Sequence, residues 1–280
     1  MTLQEMTVWL KEQLSGLTDE WETESKWMLC HVLKCSTLDL LLYKNQQMES
    51  EAIEEIKNMV LRRQKREPIQ YILGAHEFMG LPFEVRAGVL IPRQDTECLV
   101  DFLVNLIKGQ PKTVLDIGTG SGAIAVSIAA LSPYADVVSV DISKEALDVA
   151  EDNIRLNGVE GRVRLVESDL FEAIEGETFD IIVSNPPYIP ESDKLRLMPE
   201  VLDYEPELAL FGGEDGLDYY RRIIPEARKY LRSEGLLIFE AGHNQAVEIS
   251  RMLEQWGYEN IGIFSDLRGV PRFIYGYLNA

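Results

Sequence analysis

The stretch "TVLDIGTGSGAIAVSIAA", residues 113–130, decides the fold because it joins a buried strand to a helix through a glycine-rich turn. The apolar run "TVLDIG" predicts the strand, and the residues from Ala123 to Ala130 predict the helix. Gly118, Gly120 and Gly122 lie between them. Glycine permits a tight turn there and lets a ligand approach the backbone at the N-terminus of the helix. The stretch therefore predicts a strand, a ligand-binding loop and a helix in succession.

Strands and helical segments alternate from Lys112 onward. The later strand segments share a short apolar run, and they are "DVVSVD", "RVRLVESD", "FDIIVSNPPY", "GLLIFEAG" and "RFIYGYL". Such alternation is typical of α/β proteins with a parallel, doubly wound sheet that helices cover on both faces. We therefore expect a doubly wound parallel sheet whose ligands bind at the carboxyl ends of the strands.

Polar side chains mark those carboxyl ends. Asp116, Asp141, Asp169 and Asn185 each fall at the end of a predicted strand. Because the carboxyl ends of parallel strands meet at one edge of the sheet, we expect these residues to mark one site.

The glycine loop predicts an adenosine-containing cofactor. Asp141 lies at the end of the second strand, where a carboxylate suits the hydroxyl groups of a ribose. Gly118, Gly120 and Ala123 also satisfy the dinucleotide pattern G-x-G-x-x-G/A. The loop alone therefore does not separate nicotinamide nucleotides from S-adenosylmethionine, and a plain tight turn is the structural alternative.

Two features favour S-adenosylmethionine. The G-x-G-x-G spacing after Asp116 resembles the cofactor loop of class I methyltransferases. Asn185-Pro186-Pro187-Tyr188 matches the [D/N]-P-P-Y motif of amino-methyltransferases at the end of the fourth strand. We therefore expect a class I methyltransferase (Rossmann-like) fold and methyl transfer to a planar NH2 group.

The residue types of this motif suit methyl transfer to nitrogen. A planar amide nitrogen is a poor nucleophile because its lone pair is delocalised. The Asn185 side-chain oxygen and the Pro186 carbonyl can accept its two N–H bonds, and the rigid prolines fix the backbone. Tyr188 can stack on the planar group. We predict Asn185, Pro186 and Tyr188 as catalytic residues and Asn185, Pro186, Pro187 and Tyr188 as the substrate site, with no metal.

The N-terminal region has a helical pattern. Apolar residues recur at three- and four-residue spacing between Leu3 and Met59, and Pro68 ends the pattern. "YILGAHEFMGLPFEV" then predicts a β-hairpin with a turn at Gly80. The predicted domains are a helical partner-binding domain at 1–68, a β-hairpin hinge at 69–92 and a methyltransferase domain at 93–280.

A long segment between Tyr188 and Leu217 shows no confident helix or strand pattern. Structureless segments of that length are uncommon in compact domains and are often functional lids. We interpret this segment as a lid.

Composition limits the partners. The chain has 47 acidic and 27 basic residues, a net charge of −20, so we expect no direct binding to phosphate backbones. No run of 18 apolar residues occurs, and no membrane span is expected. "MTLQEMTVWLKEQ" is unlike a signal or transit peptide. Cys30, Cys35 and Cys98 form no C-x-x-C pair, which favours idle thiols and a cytoplasmic location.

The whole chain resembles the peptide chain release factor N(5)-glutamine methyltransferases, the PrmC/HemK family. The matching segments are "REPIQYILG" at 66–74, "VLIPRQDTECLV" at 89–100, "LDIGTGSGAIA" at 115–125, "VSNPPYIP" at 183–190, "YEPELALFGGEDGLDYYR" at 204–221 and "DLRGVPR" at 266–272. Gln94 and Asp95 depart from the Pro and Glu that are usual in this family, and Leu170 replaces a frequent aromatic residue. The leucine predicts weaker stacking on adenine.

The resemblance implies that S-adenosylmethionine methylates the glutamine of a Gly-Gly-Gln loop in translation release factors. It also implies that the helical domain helps to hold the release factor. The implied cofactor residues are Gly118, Thr119, Gly120, Ser121, Gly122, Asp141, Asp169, Leu170 and Asn185. Three alternatives stay open: a glutamine methyltransferase acting on a ribosomal protein, a nucleic-acid amino-methyltransferase, and a cofactor-binding protein without turnover.

Overall fold

Local capping signals set the first helix in the computed structural model, which describes residues 1–279. The Thr2 hydroxyl accepts a hydrogen bond from the Glu5 backbone N–H at 3.2 Å, and the Glu5 carboxylate accepts one from the Thr2 backbone N–H at 2.9 Å. This reciprocal pair satisfies backbone donors that a helix start leaves free. Leu3, Met6 and Leu10 then share the buried face of the helix.

The helices and strands follow in a regular order. The helices are α1 (Leu3–Leu14), α2 (Trp21–Leu33), α3 (Thr37–Leu42), α4 (Ser50–Gln64), α5 (Ile69–Leu73), α6 (Gln94–Ile107), α7 (Ala123–Leu131), α8 (Lys144–Leu156), α9 (Pro199–Leu202), α10 (Glu207–Leu210), α11 (Asp218–Ala227) and α12 (Ala246–Gln255). The strands are β1 (Ala75–Phe78), β2 (Leu81–Glu84), β3 (Lys112–Ile117), β4 (Ala135–Asp141), β5 (Val163–Glu167), β6 (Phe179–Ser184), β7 (Leu231–Glu240), β8 (Tyr258–Ser265) and β9 (Pro271–Leu278).

The described residues divide into two compact units. The first contains Met1–Gly74 and Pro199–Tyr204, and its apolar core comes from α1, α2, α4 and α5. Inside it the buried Arg63 guanidinium donates to Glu24 at 2.8 Å and to Glu200 at 2.9 Å. Pro68 caps α5 instead of ending the helical pattern, so this unit extends six residues beyond residue 68. Proline suits that position because a helix start needs no backbone donor there.

The second unit contains residues 75–198 and 205–279 and is built on an α/β sheet. The strand order is β5-β4-β3-β6-β7-β9-β8, and the strands from β3 to β7 are parallel. Two apolar clusters cover its faces, one with α6 and α7 and the other with α11 and α12. The predicted doubly wound sheet is confirmed.

The parallel sheet predicted from the alternating pattern has antiparallel strands at one edge. Strand β9 pairs antiparallel with both β7 and β8. A tight turn joins β8 to β9, and a turn of that kind reverses the chain so that β9 enters between β7 and β8. Strand β8 was not predicted, because its sequence lacks a continuous apolar run and half of its residues are exposed.

The interpretation of the segment after Tyr188 as structureless is also wrong. It contains a short 3₁₀ helix (Glu191–Arg196) and the short helices α9 and α10. The two α-helices have about one turn each and the 3₁₀ helix about two, which is too short for a periodic apolar pattern. Along the described residues, none of the helices is both long and apolar enough to cross a membrane.

Candidate active site

The sheet topology creates a crevice between β3 and β6. The chain turns outward from β3 through β4 to β5, and then returns to the other side of β3 with β6. Ligands bind outside the carboxyl ends of the strands at such a reversal. A cavity lies there, and its wall includes the loop after β3, the end of β4 and the residues after β6.

The glycine loop forms one side of this cavity. Gly118, Thr119, Gly120 and Ser121 line it, and the Gly118 and Thr119 backbone N–H groups donate to the Val140 carbonyl at 2.9 and 3.1 Å. These bonds fasten the loop to the end of β4. The backbone of Gly120 is left-handed, with φ of 54°, a conformation that other residues adopt at a cost.

Gly122 has a packing role. It caps α7 with φ of 82°, and a Cβ at this position would lie 3.2 Å from the Ala150 side chain. Within residues 1–279 the cavity wall does not include Gly122. Its glycine allows α7 and α8 to approach closely beneath the loop.

Asp141 ends β4 at the cavity wall. Its Oδ2 accepts a hydrogen bond from the Gly120 backbone N–H and its Oδ1 one from the Ser143 backbone N–H, both at 2.9 Å. Burial raises the pKa of Asp141, while these backbone donors oppose the shift. Each carboxylate oxygen keeps a further lone pair, so the group can still accept hydrogen bonds from a ligand.

Asp169 and Leu170 complete this end of the cavity. Asp169 accepts a hydrogen bond from Arg222 at 2.8 Å, and Leu170 has a left-handed backbone with φ of 53°. The Ser168 hydroxyl donates to the Leu170 carbonyl at 3.0 Å and supports that conformation. Tyr219 also lines the cavity, so this end contains an aromatic ring although residue 170 is leucine.

Asp116 lies deeper than the sequence predicts. It is the penultimate residue of β3, fully buried, and its Oδ2 accepts from the Ser139 hydroxyl at 2.8 Å. Burial raises the pKa of Asp116 to about 6. In the described chain it is not part of the cavity wall, because it is buried before the end of β3 and bonded to Ser139 on the neighbouring strand.

The Asn185-Pro186-Pro187 run forms the opposite side of the same cavity. The Asn185 Nδ2 donates to the Thr96 Oγ1 at 3.4 Å, and the Thr96 Oγ1 donates to the Glu240 Oε2 at 2.6 Å. The cavity therefore brings together the glycine loop, Asp141 and Asn185, as the positions of the strand ends predict.

Tyr188 lies next to this wall. In the part of the chain that the structure describes, it does not line the cavity. Its ring packs against the apolar cluster beneath β7, and its carbonyl accepts from the Gln245 side chain at 2.9 Å. Burial raises the pKa of Tyr188 to about 12, so the phenol is neutral. Its predicted stacking role stays a prediction.

Sequence reasoning missed several residues of the site. Thr96, Arg93, Tyr219 and Arg222 line the cavity, and Glu240 lies buried behind it. Thr96 falls inside the segment "VLIPRQDTECLV", which carries the family resemblance but does not by itself assign a role to each side chain. Glu240 is an acidic residue at the end of an apolar strand, and the same pattern predicts a site residue at Asp141.

Within residues 1–279, no group of three or more His, Cys, Asp or Glu side chains is arranged to hold a metal ion.

Comparisons with known proteins agree with this architecture. Residues 5–74 match the family model for the PrmC N-terminal domain, and residues 94–204 match the methyltransferase small domain. A methyltransferase from Pyrococcus furiosus has a similar structure, with a TM-score of 0.54 and 19% identity, covering 72% of this chain and 91% of that one. That likeness supports the predicted methyltransferase fold.

Some proteins share much more of this sequence than the Pyrococcus furiosus structure does. The release factor glutamine methyltransferase of Geobacter sulfurreducens is 43% identical over 90% of this chain and 88% of its own length. The enzyme of the same name from Clostridium acetobutylicum is 42% identical over 93% of both chains. These identities extend across both units of the structure. The chain therefore belongs to the release factor glutamine methyltransferases, the PrmC/HemK family, whose cofactor is S-adenosylmethionine.

Proposed function

We propose that this protein transfers the methyl group of S-adenosylmethionine to the side-chain amide nitrogen of the glutamine in the Gly-Gly-Gln loop of peptide chain release factors. The observation that carries the proposal is the shared cavity. Gly118, Gly120 and Asp141 form one side of it and Asn185 and Pro186 the other, so a donor and an acceptor could meet inside it.

The glycine-loop side fits an adenosine-containing methyl donor. Asp141 has lone pairs left for ribose hydroxyl groups, and the α7 N-terminus offers backbone N–H groups. Leu170, Ile142 and Tyr219 supply apolar and aromatic surface for a flat base. We assign cofactor contacts to Gly118, Thr119, Gly120, Ser121, Asp141, Asp169 and Leu170. When bound, S-adenosylmethionine supplies an electrophilic methyl group on a sulfonium.

The opposite side suits a primary amide. We assign to the Asn185 Oδ1 and the Pro186 carbonyl the task of accepting the two N–H bonds of the substrate glutamine. Two acceptors fix the nitrogen and increase its electron density as its bond to carbon forms. Holding both reactants in near-attack geometry can supply roughly 7–11 kcal/mol of the barrier. Pro187 keeps the loop rigid.

Release factors are the partner that family membership favours. The relatives named above are release factor glutamine methyltransferases, and the first 74 residues include the match to the PrmC N-terminal domain. We assign partner binding to that helical unit. The high negative charge, −20, favours a protein partner over a phosphate backbone. A cytoplasmic location, where release factors act, stays a prediction.

A labelling experiment tests the proposal. The protein is incubated with methyl-labelled S-adenosylmethionine and either a purified release factor or the same factor with its loop glutamine changed to alanine. We expect label in the first factor and none in the second. Label in both factors, or transfer to ribosomal protein in place of release factor, contradicts the proposal.

A further inference from the structure

A line of buried polar side chains runs from the cavity wall into the protein. It starts at Asn185, passes through Thr96 on α6 and ends at Glu240, the last residue of β7. Thr96 is 4% exposed and Glu240 is 1% exposed. A carboxyl group is costly to bury, so its presence beside the substrate site requires an explanation.

The chemistry of these groups fixes which of them donates and which accepts each hydrogen bond. An ionised carboxylate only accepts hydrogen bonds, so the Thr96 hydroxyl must give its one proton to Glu240. The Thr96 oxygen then faces Asn185 with lone pairs alone. The amide end of Asn185 can donate to those lone pairs, whereas its oxygen would be repelled by them. The Asn185 oxygen is therefore left for the cavity.

We propose that Glu240 and Thr96 are positioning residues that hold the Asn185 amide in one of its two orientations, with the oxygen facing the acceptor nitrogen. This inference rests on the proposed function. In the reversed orientation Asn185 would present N–H bonds to the substrate NH2 group, which also needs acceptors, and the substrate would lose one of them.

The surroundings of Glu240 make this orientation sensitive to pH. Burial raises the pKa of Glu240 to about 7, while the Thr96 hydrogen bond and the charge of Arg272 on β9 oppose the shift. Asp95 on α6 raises the pKa further, and a hydrogen bond from the Asn185 side chain lowers it. Arg272 in turn donates to Asp266 at 2.9 Å and lies 3.3 Å from Asp95.

Two buried tyrosines lie beside Glu240 and stay neutral near pH 7. Tyr188, beside Asn185, has a pKa raised to about 12 by burial. Tyr220 on α11 is fully buried, its pKa is raised by burial, and its hydroxyl donates to the Glu240 backbone carbonyl at 2.7 Å. Glu240 is therefore the member of this group whose charge changes near pH 7.

Protonation of Glu240 reverses the direction of the hydrogen bonds between Glu240, Thr96 and Asn185. A carboxylic acid can donate to the Thr96 oxygen, which frees the Thr96 proton to donate toward Asn185. Asn185 then turns its oxygen inward. Methyl transfer falls as pH drops through the pKa of Glu240 and reaches a plateau above it, and the change lies in kcat because the orientation matters to the acceptor and not to the cofactor.

The first arm of the test needs no substrate. Side-chain amide resonances of ¹⁵N-labelled protein are followed through the neutral pH range, with Asn185→Ala used to assign the Asn185 pair. We expect this pair to shift with a midpoint near pH 7 in the parental protein and to lose that midpoint in Glu240→Gln. An Asn185 pair that titrates identically in both proteins overturns the inference, even if release factor is methylated.

The second arm measures kcat and KM on an intact release factor. Thr96→Val should lower kcat about tenfold, leave the KM for S-adenosylmethionine near its parental value and remove the fall in activity at low pH. Thr96→Ser, which keeps the hydroxyl, should restore both the rate and the pH profile. Glu240→Gln should flatten the profile.

The matched control is Thr113→Val, which removes a hydroxyl–carboxylate hydrogen bond of 2.9 Å to Asp180 at the other end of β3. It should leave the kcat profile unchanged. Parental kcat and parental pH dependence in Thr96→Val overturn the inference, and so does an equal loss in Thr113→Val. If Thr96→Val does not fold, a Thr96→Ser variant with a lost pH profile overturns it instead.

Discussion

The two sides of the cavity are built in different ways. On the glycine-loop side, backbone groups at the ends of two neighbouring strands form most of the hydrogen bonds: the loop after β3 bonds to Val140, and Asp141 accepts from the backbone of Gly120 and Ser143. On the Asn185 side, side chains far apart in sequence meet, namely Asn185, Thr96 and Glu240. The first side is a local structure that a short motif can specify. The second depends on the tertiary fold.

The largest effect is expected on the second side. Asn185→Ala removes the acceptor that orients the substrate nitrogen, so kcat should fall about 10²–10³-fold, or roughly 2.7–4 kcal/mol. Cofactor affinity and melting temperature should stay near parental values, because Asn185 follows the last residue of β6 and lies outside the apolar clusters. Steady-state kinetics and calorimetric titration measure the two quantities. The exposed Asn105→Ala serves as control, and equal kcat in both variants would contradict the assignment.

Glu240, buried on the Asn185 side of the cavity, should also make the stability of the protein depend on pH. Glu240 has an ordinary pKa of 4.5 that burial raises to about 7, so the folded protein holds this proton more tightly than the unfolded chain. The stabilisation is complete below pH 4.5 and is lost as pH rises through about 7. It amounts to about 3 kcal/mol at most.

Urea unfolding of the parental protein and Glu240→Gln at a series of pH values measures this effect. The difference between their free energies of unfolding should change across the window from pH 4.5 to 7, with the parental protein losing stability relative to the variant as pH rises. A constant difference would show that Glu240 does not hold its proton in the folded state.

A smaller effect is expected on the glycine-loop side. Asp141→Ala removes acceptors for the ribose hydroxyls, and charge-assisted hydrogen bonds of this kind contribute about 1.5–3 kcal/mol. The Kd for S-adenosylmethionine should rise at least about tenfold. Asp136→Ala, at the exposed start of the same strand, is the matched control. Unchanged cofactor affinity in Asp141→Ala, or tight binding of NAD, would remove Asp141 from the cofactor site.

The smallest effect on cofactor affinity is expected at the outer edge of the glycine-loop side. Arg222 pairs with Asp169 at 2.8 Å, and both side chains are substantially exposed, so the pair contributes about 0.2–1 kcal/mol. Arg222→Ala should change cofactor affinity by less than about fivefold, with a dependence on salt concentration. A loss comparable to that of Asp141→Ala would mean that Arg222 contacts the cofactor directly.

The contrast between the two sides also explains what the sequence predicts. The glycine loop, Asp141 and the Asn185-Pro186-Pro187-Tyr188 run are contiguous motifs at strand ends, and alternation of strands and helices is enough to bring them to one edge. The sheet, the cofactor class and the family follow from these motifs and are confirmed.

Features that depend on tertiary contacts were not predictable in the same way. Thr96 lies on a helix where a threonine has many possible roles, and its meeting with Glu240 joins residues 144 positions apart. The antiparallel entry of β9 between β7 and β8 depends on a turn and on pairing between strands that no local pattern specifies. Helices of one turn, such as α9 and α10, leave no periodic pattern.

Single-turnover methyl transfer with saturating S-adenosylmethionine and release factor tests the division between the two sides most directly. At saturation the account predicts that Asp141→Ala retains most of the parental rate, since its defect is in binding, whereas Asn185→Ala remains about 10²–10³-fold slower. Equal rates for the two variants, or a parental rate in Asn185→Ala, would contradict the account.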